Sequence, residues 1–268
     1  MRIASAGHVV FAAVMMGIGI IGLIKSEYAA IWDGVPKVFP AREALPYLCA
    51  LIALACGLGL LWPRTAALAA RVLLAWLLAW MLLFKGRYVL LAPLQEGSYQ
   101  STGENAVIVA GAWVLFTRFA TDWDKKQVRF ATGDTGRRIA RVLFGLALIA
   151  FGLSHFFYLQ FTVPLIPAWL LWPVFWAHST GTTYLLAGVA VLIGVYARLA
   201  ATLAVVQMGS FLLLVWLPIV VANKMTDFNW GELVVNFALV AGGWVIAESY
   251  KGSPWLASGK LWNKLPRE

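Results

Sequence analysis

Long apolar runs alternate with short polar stretches along the whole chain, and the runs have membrane-crossing length. A spanning helix needs about 20 mainly apolar residues, and eight segments approach that size: 7–24, 44–62, 66–84, 104–119, 139–158, 180–196, 200–221 and 231–247. The pattern predicts an all-α polytopic membrane protein with eight transmembrane helices. Arg2 ahead of the first run gives that run the outline of a signal peptide. It is too long, however, lacks a small-x-small exit, and is matched by an internal segment at 142–157, so it reads as a retained helix.

The eight runs form two sets of four. Residues 105–114 read NAVIVAGAWV and residues 236–245 read NFALVAGGWV, with Asn, Val, Ala, Gly, Trp and Val in register. Phe11 and Gly19 match Phe144 and Gly152, Tyr47 and Gly57 match Tyr184 and Gly194, and Arg64-Thr-Ala-Ala matches Arg198-Leu-Ala-Ala. Four helices return the chain to its starting side, so the halves are expected as parallel repeats, residues 1–120 and 139–250, about an axis along the membrane normal. Residues 121–138 form a basic linker between them and residues 251–268 a tail.

Charge then orients the chain. Of 21 Lys and Arg residues, 15 fall at the termini and in the even-numbered loops and six in the odd-numbered ones, so both termini, the linker and the tail are expected in the cytoplasm. The net charge of +9 is thereby a matter of topology, with anionic lipid headgroups as partner. Nucleic acid is not expected, because the basic residues flank spans and form no aromatic-interleaved patch. A composition of 62% apolar and 12% charged residues excludes a soluble domain.

In this orientation the uncommon polar residues gather at the outer ends of the helices. His155 ends the fifth run, His178 precedes the sixth, and Asn105 and Asn236 lie near the starts of the fourth and eighth, beside Glu104 and Glu232. Glu27, Tyr28, Trp32 and Asp33 occupy the first outer loop. Polar groups at membrane depth usually face the bundle interior or a cavity, so an outward-facing cavity is expected. The uncharged connector after the fifth run, rich in Pro and Trp, reads as an aromatic lid over it.

The candidate ligand-binding residues are His155, Tyr158, Trp169, Trp176, His178, Asn105 and Asn236. Imidazole donates, accepts and titrates near neutrality, so His155 and His178 suit a quinone carbonyl, a haem iron, a proton relay or plain structural hydrogen bonds. Haem ranks below a quinone-like ligand because no matched His pair recurs across the halves. Asn105 and Asn236 suit bridging between helices, and Gln207 and Ser210 share one helical face. His8 reads as interfacial. Cys49 and Cys56, seven residues apart on one helix, stand about 10 Å apart along its axis, beyond disulfide reach. Gly17, Gly19 and Gly22 read as close helix-packing positions, since no strand precedes them, and Trp76 and Trp80 as packing residues. No P-loop, nucleophile elbow, metal-ligand cluster or flavin, iron-sulfur or haem framework appears, so no intrinsic cofactor is expected beyond a bound quinone.

Residues 155–198 carry a family resemblance: His155-Phe156, the VPLIPAWL run, Phe175-Trp176, Gly181, LLAG through Gly188, and Arg198 with its Ala pair. Together with the Asn-to-Trp helix, the second half from about Arg137 to Ala247 resembles the DoxX family of four-helix bacterial membrane proteins. The first half looks like a diverged copy, in which KSEYAAIWDGVPKVFPAREALPYL replaces the lid. The resemblance implies a bacterial inner-membrane protein, in a group that includes the small membrane subunit of a thiosulfate:quinone oxidoreductase and partners of redox-defence enzymes.

Two functions are expected from these features. The first is a membrane redox accessory or anchor subunit that holds a quinone or similar lipophilic ligand near His155, Tyr158 and His178, while a partner protein carries the electron chemistry. The alternative is a non-catalytic carrier or chaperone for a lipid or membrane protein, without redox activity. A coupled ion transporter is disfavoured by the scarcity of mid-membrane carboxylates. The glycine-rich first helix suits either internal packing or a homodimer.

Overall fold

Apolar runs, bounded by prolines, hydroxyl caps and charge, fold into eight long helices in the computed structural model, which describes residues 5–25 and 27–258. They are α1 (Ala6–Lys25), α2 (Leu45–Leu61), α3 (Ala66–Leu91), α4 (Glu96–Phe119), α5 (Gly133–Phe157), α6 (Pro173–Ile193), α7 (Ala197–Val221) and α8 (Asp227–Glu248). The fold is all-α and that of a polytopic membrane protein, with no strand among the described residues. Five helices, α1, α3, α5, α7 and α8, are long and apolar enough to cross a membrane. Of the other three, α2 is apolar but has 17 residues, α4 opens on the polar stretch EGSYQSTGEN, and α6 carries His178 and four hydroxyl side chains near its start.

Several helix ends differ from the hydropathy pattern, each for a local reason. α6 begins at Pro173, whose fixed φ suits a first helical turn, so His178 lies inside α6 and not ahead of it. α3 does not stop at Phe84: a π-helical turn at Met81–Lys85 carries it on to Leu91, and α7 has its own π-turn at Leu212–Trp216. α5 starts at Gly133, within the segment expected as linker. The rest of that segment holds a short helix, Asp122–Gln127, closed by reciprocal hydrogen bonds between Thr121 and Asp124.

The helices pack by one scheme used twice. In the first half α1 packs on α2, α2 on α3 and α3 on α4; in the second, α5 packs on α6, α6 on α7 and α7 on α8. Between the halves α4 packs on α5 and α8 on α1, and α4 crosses α8 at the centre. Glycine permits the closest approaches, as lipid-embedded helices require. A Cβ added to Gly111 of α4 would stand 2.7 Å from Gly242 Cα of α8. On α5 and α6, Gly145 meets Gly188 and Gly152 meets Gly181 in the same way, and Gly19 and Gly22 of α1 press on Ala50 of α2. Gly17 is different: nothing lies within 4 Å of it, so it takes no part in this packing.

At the linker end of the bundle, several cationic side chains are engaged by the protein itself. Arg71 grips Asp124 through two hydrogen bonds of 2.7 and 2.9 Å and lies over the Trp123 ring. Arg141 stacks on Tyr250 and bonds Ser249, and Arg198 stacks on Trp255 and donates to Ser253 O. His8, expected at the interface, is buried, its Nε2 2.9 Å from Leu60 O. Cys49 and Cys56 are buried free thiols. Arg2, Lys260, Lys264 and Arg267, which entered the charge count, lie outside the described residues.

Candidate functional site

The two halves differ in where the connector after their first helix goes. In the first half the connector after α1 folds into a 3-10 turn, Ala30–Trp32, and drives its aromatic side chains inward. Trp32 is 1% exposed and meets Trp80 of α3 edge-on, with ring centroids 5.3 Å apart. Tyr28, Trp76 and Phe84 pack around the same Trp80 ring. Asp33 follows the plug and forms an ion pair with Lys85, which is 1% exposed and also donates to Ser101 Oγ at 2.9 Å. A buried ammonium demands such partners, so the first connector is held by aromatic packing and pinned by charge. Glu104 and Glu232 lie within electrostatic reach of the pair.

In the second half the corresponding connector stays outside. After α5 it makes a short helix, Leu159–Thr162, and a 3-10 turn, Val163–Leu165, then passes through Trp172 in a left-handed conformation (φ 58°) to reach Pro173. Behind it, between α6 and α7, lies a cavity of about 780 Å³. Its walls are mostly apolar: Leu186, Ala187, Leu203, Ala204 and Leu214 are among them. At the lid end stand Leu165, Ile166, Trp169 and Trp176 with His155.

One polar strip crosses this wall. Gln207 of α7 donates from Nε2 to Thr180 O at 3.1 Å and accepts at Oε1 from the Thr183 hydroxyl. Ser210 and Thr180 turn their hydroxyls to backbone carbonyls of their own helices. The Trp176 indole donates to Leu171 O at 3.0 Å, fixing the lid to the start of α6. His155 Nδ1 lies 2.7 Å from Phe151 O; a carbonyl oxygen only accepts, so Nδ1 carries the proton. The ring sits between Tyr184 and Phe211, at 5.7 and 6.4 Å between centroids.

Residues 136–216 match the sequence profile of the DoxX family. This segment is a DoxX domain. No curated protein and no solved structure matches the chain significantly. The DoxX domain takes in nearly all of α5, the lid, all of α6 and α7 as far as Trp216, and every residue that lines the cavity falls inside it. The plug and the Lys85 pair lie outside it.

Of the residues singled out from the sequence, the cavity gathers His155, Trp169 and Trp176. Four others lie elsewhere. The Tyr158 hydroxyl accepts the Gly97 N–H at 3.0 Å and so joins the DoxX domain to the start of α4. His178 stacks on Phe156 at 5.1 Å and is not part of the cavity wall. Asn105 and Asn236 are buried at the starts of their helices' apolar stretches, each with an Oδ1 that finds no partner among the described residues. The cavity adds Thr180, Thr183, Gln207, Ser210 and Phe211. The shared face of Gln207 and Ser210 was the visible signal for part of this strip; the Thr180 and Thr183 spacing on α6 is its counterpart. Among the described residues no three His, Cys, Asp or Glu side chains come together as a metal site.

Proposed function

We propose that the DoxX domain holds a quinone-like lipophilic molecule in the cleft between α6 and α7, and that the chain serves as an inner-membrane accessory subunit whose redox partner carries the electron chemistry. In this reading the linker end faces the cytoplasm, in keeping with the basic residues there. One observation carries the proposal: where the first half buries Trp32 against α3, the second leaves a cavity between α6 and α7 that is mostly apolar, aromatic at its mouth and supplied with a histidine. Ligand sites are typically apolar clefts of about 300–1,000 Å³ with a few placed polar groups. A flat ring with an isoprenoid-type tail suits the aromatic lid end and the Leu and Ala wall below it.

Native mass spectrometry of the gently solubilised protein tests the reading. A quinone retained by the wild type and lost from Ala204→Trp, which places a bulky ring in the cleft, supports it. If Ala204→Trp keeps as much quinone as the wild type, the ligand lies elsewhere. Ordinary phospholipid in the cleft with no quinone would favour the carrier function, since the Leu-lined wall takes an acyl chain as readily.

A further inference from the structure

The cavity's hydrogen-bonding groups are unequal in what they still seek. The hydroxyls of Thr162, Thr180, Thr183 and Ser210 already donate to carbonyl oxygens or to Gln207, and the Gln207 amide is engaged at both atoms. His155 differs. Its Nδ1 proton is committed to Phe151 O, which in a neutral ring leaves Nε2 as a bare lone pair, and nothing among the described residues bonds to it.

These demands sort the possible head groups by chemistry. A carbonyl oxygen only accepts, so a quinone would set one lone pair against another at His155. An aromatic hydroxyl carries a proton that it can donate to Nε2. Leaving a buried polar group unpaired costs about 1–3 kcal/mol, enough to select between two forms of one ring. Resting on the quinone-cleft reading above, we infer that the DoxX domain binds the reduced, hydroxyl-bearing form of its ligand in preference to the oxidised form, with His155 Nε2 accepting the hydroxyl proton in a hydrogen bond. The cleft is in these terms a quinol site, and His155 is its specificity-determining residue.

The test uses the full chain in lipid nanodiscs under anaerobic conditions, titrated with decylubiquinol and decylubiquinone and followed by quenching of tryptophan fluorescence, with 1-decanol measured as a competitor that relieves that quenching. The quinol is expected to bind roughly tenfold tighter than the quinone, the ratio that one satisfied hydrogen bond produces, and 1-decanol far more weakly than either. His155→Phe keeps a flat apolar ring and removes the acceptor: it should still bind both forms, with the ratio falling to near one. Equal affinities in the wild type, or a tighter quinone, would overturn the inference while leaving the cleft as a site. Decanol binding as tightly as the quinol would remove the aromatic ring from the recognition. Binding of none of the three would instead defeat the cleft reading itself.

Discussion

Replacing Trp32 by alanine probes the difference between the two connectors most directly. Trp32 is 1% exposed, and a buried aromatic side chain removes about 150–250 Å² from its surroundings. At about 25 cal/mol per Å² that corresponds to about 4–6 kcal/mol. Part of this returns when a three-residue turn settles into the gap, as large-to-small substitutions show where the site can collapse, so Trp32→Ala is expected to cost about 3 kcal/mol. Denaturant unfolding in micelles, followed by circular dichroism, measures it. A second readout separates collapse from release of the plug. Lys85 is buried beneath Asp33 and should resist acylation by an amine-reactive ester in the wild type. If the turn lifts away, Lys85 becomes modified, as read by peptide mass spectrometry. A loss below about 1 kcal/mol, with Lys85 as protected as before, would refute the reasoning that Trp32 fastens the first connector onto α3.

Two further outcomes follow from the packing and the linker. Gly111→Ala places a methyl group against Gly242 Cα, a backbone atom that yields only if α4 and α8 separate, at about 1–3 kcal/mol. Gly242→Ala forces the same separation, so the double variant should lose less than the sum of the singles, and strict additivity in unfolding experiments would show that they do not share one gap. At Asp124, burial favours the neutral carboxyl, but hydrogen bonds from Arg71 and Thr121 outweigh it and hold the pKa at about 2. A carboxyl whose pKa is lowered on folding stabilises above its unfolded value of about 3.9 and loses that contribution as pH falls toward the folded one. Stability should therefore drop between about pH 4 and pH 2, and Asp124→Asn should flatten that drop while costing about 1–2 kcal/mol at neutral pH, with Arg71 partly exposed; an unchanged acid limb would assign the transition to other groups.

Hydropathy was enough to expose the all-α membrane architecture, because each buried helix face is apolar and the lipid-facing surface is apolar as well. Helix ends were less legible. They depend on Pro173 starting α6, on π-turns that carry α3 and α7 onward, and on polar first turns such as that of α4, none of which leaves an apolar signature. The site divides along the same line. His155 stands out because a titratable side chain is uncommon at membrane depth, and Trp169 and Trp176 because they crowd an uncharged, Pro-rich connector. The strip of Thr180, Thr183 and Gln207 exists only when α6 and α7 are paired, so no single segment displays it. Tyr158, His178, Asn105 and Asn236 are polar residues of the same region, yet the fold turns them toward α4, toward Phe156 or into the bundle interior. Trp32 shows the limit plainly: whether such a ring is buried against a helix or left on the outside, as Trp172 is, is decided by the path of the connector.

The rim of the open cleft has a consequence for how any occupant is counted. Leu186, Leu203, Val206 and Leu214 line the cavity and also lie exposed on the outer face of the bundle, where acyl chains would cover them. A guest arriving there slides in sideways from the hydrocarbon, having already left water. Its effective abundance is a mole fraction among lipids, and the free energy of extraction from water is contributed by the bilayer, not by the protein. A contact of modest strength is then sufficient for high occupancy, and dilution with detergent or added lipid will empty the cleft even when the total aqueous concentration stays constant.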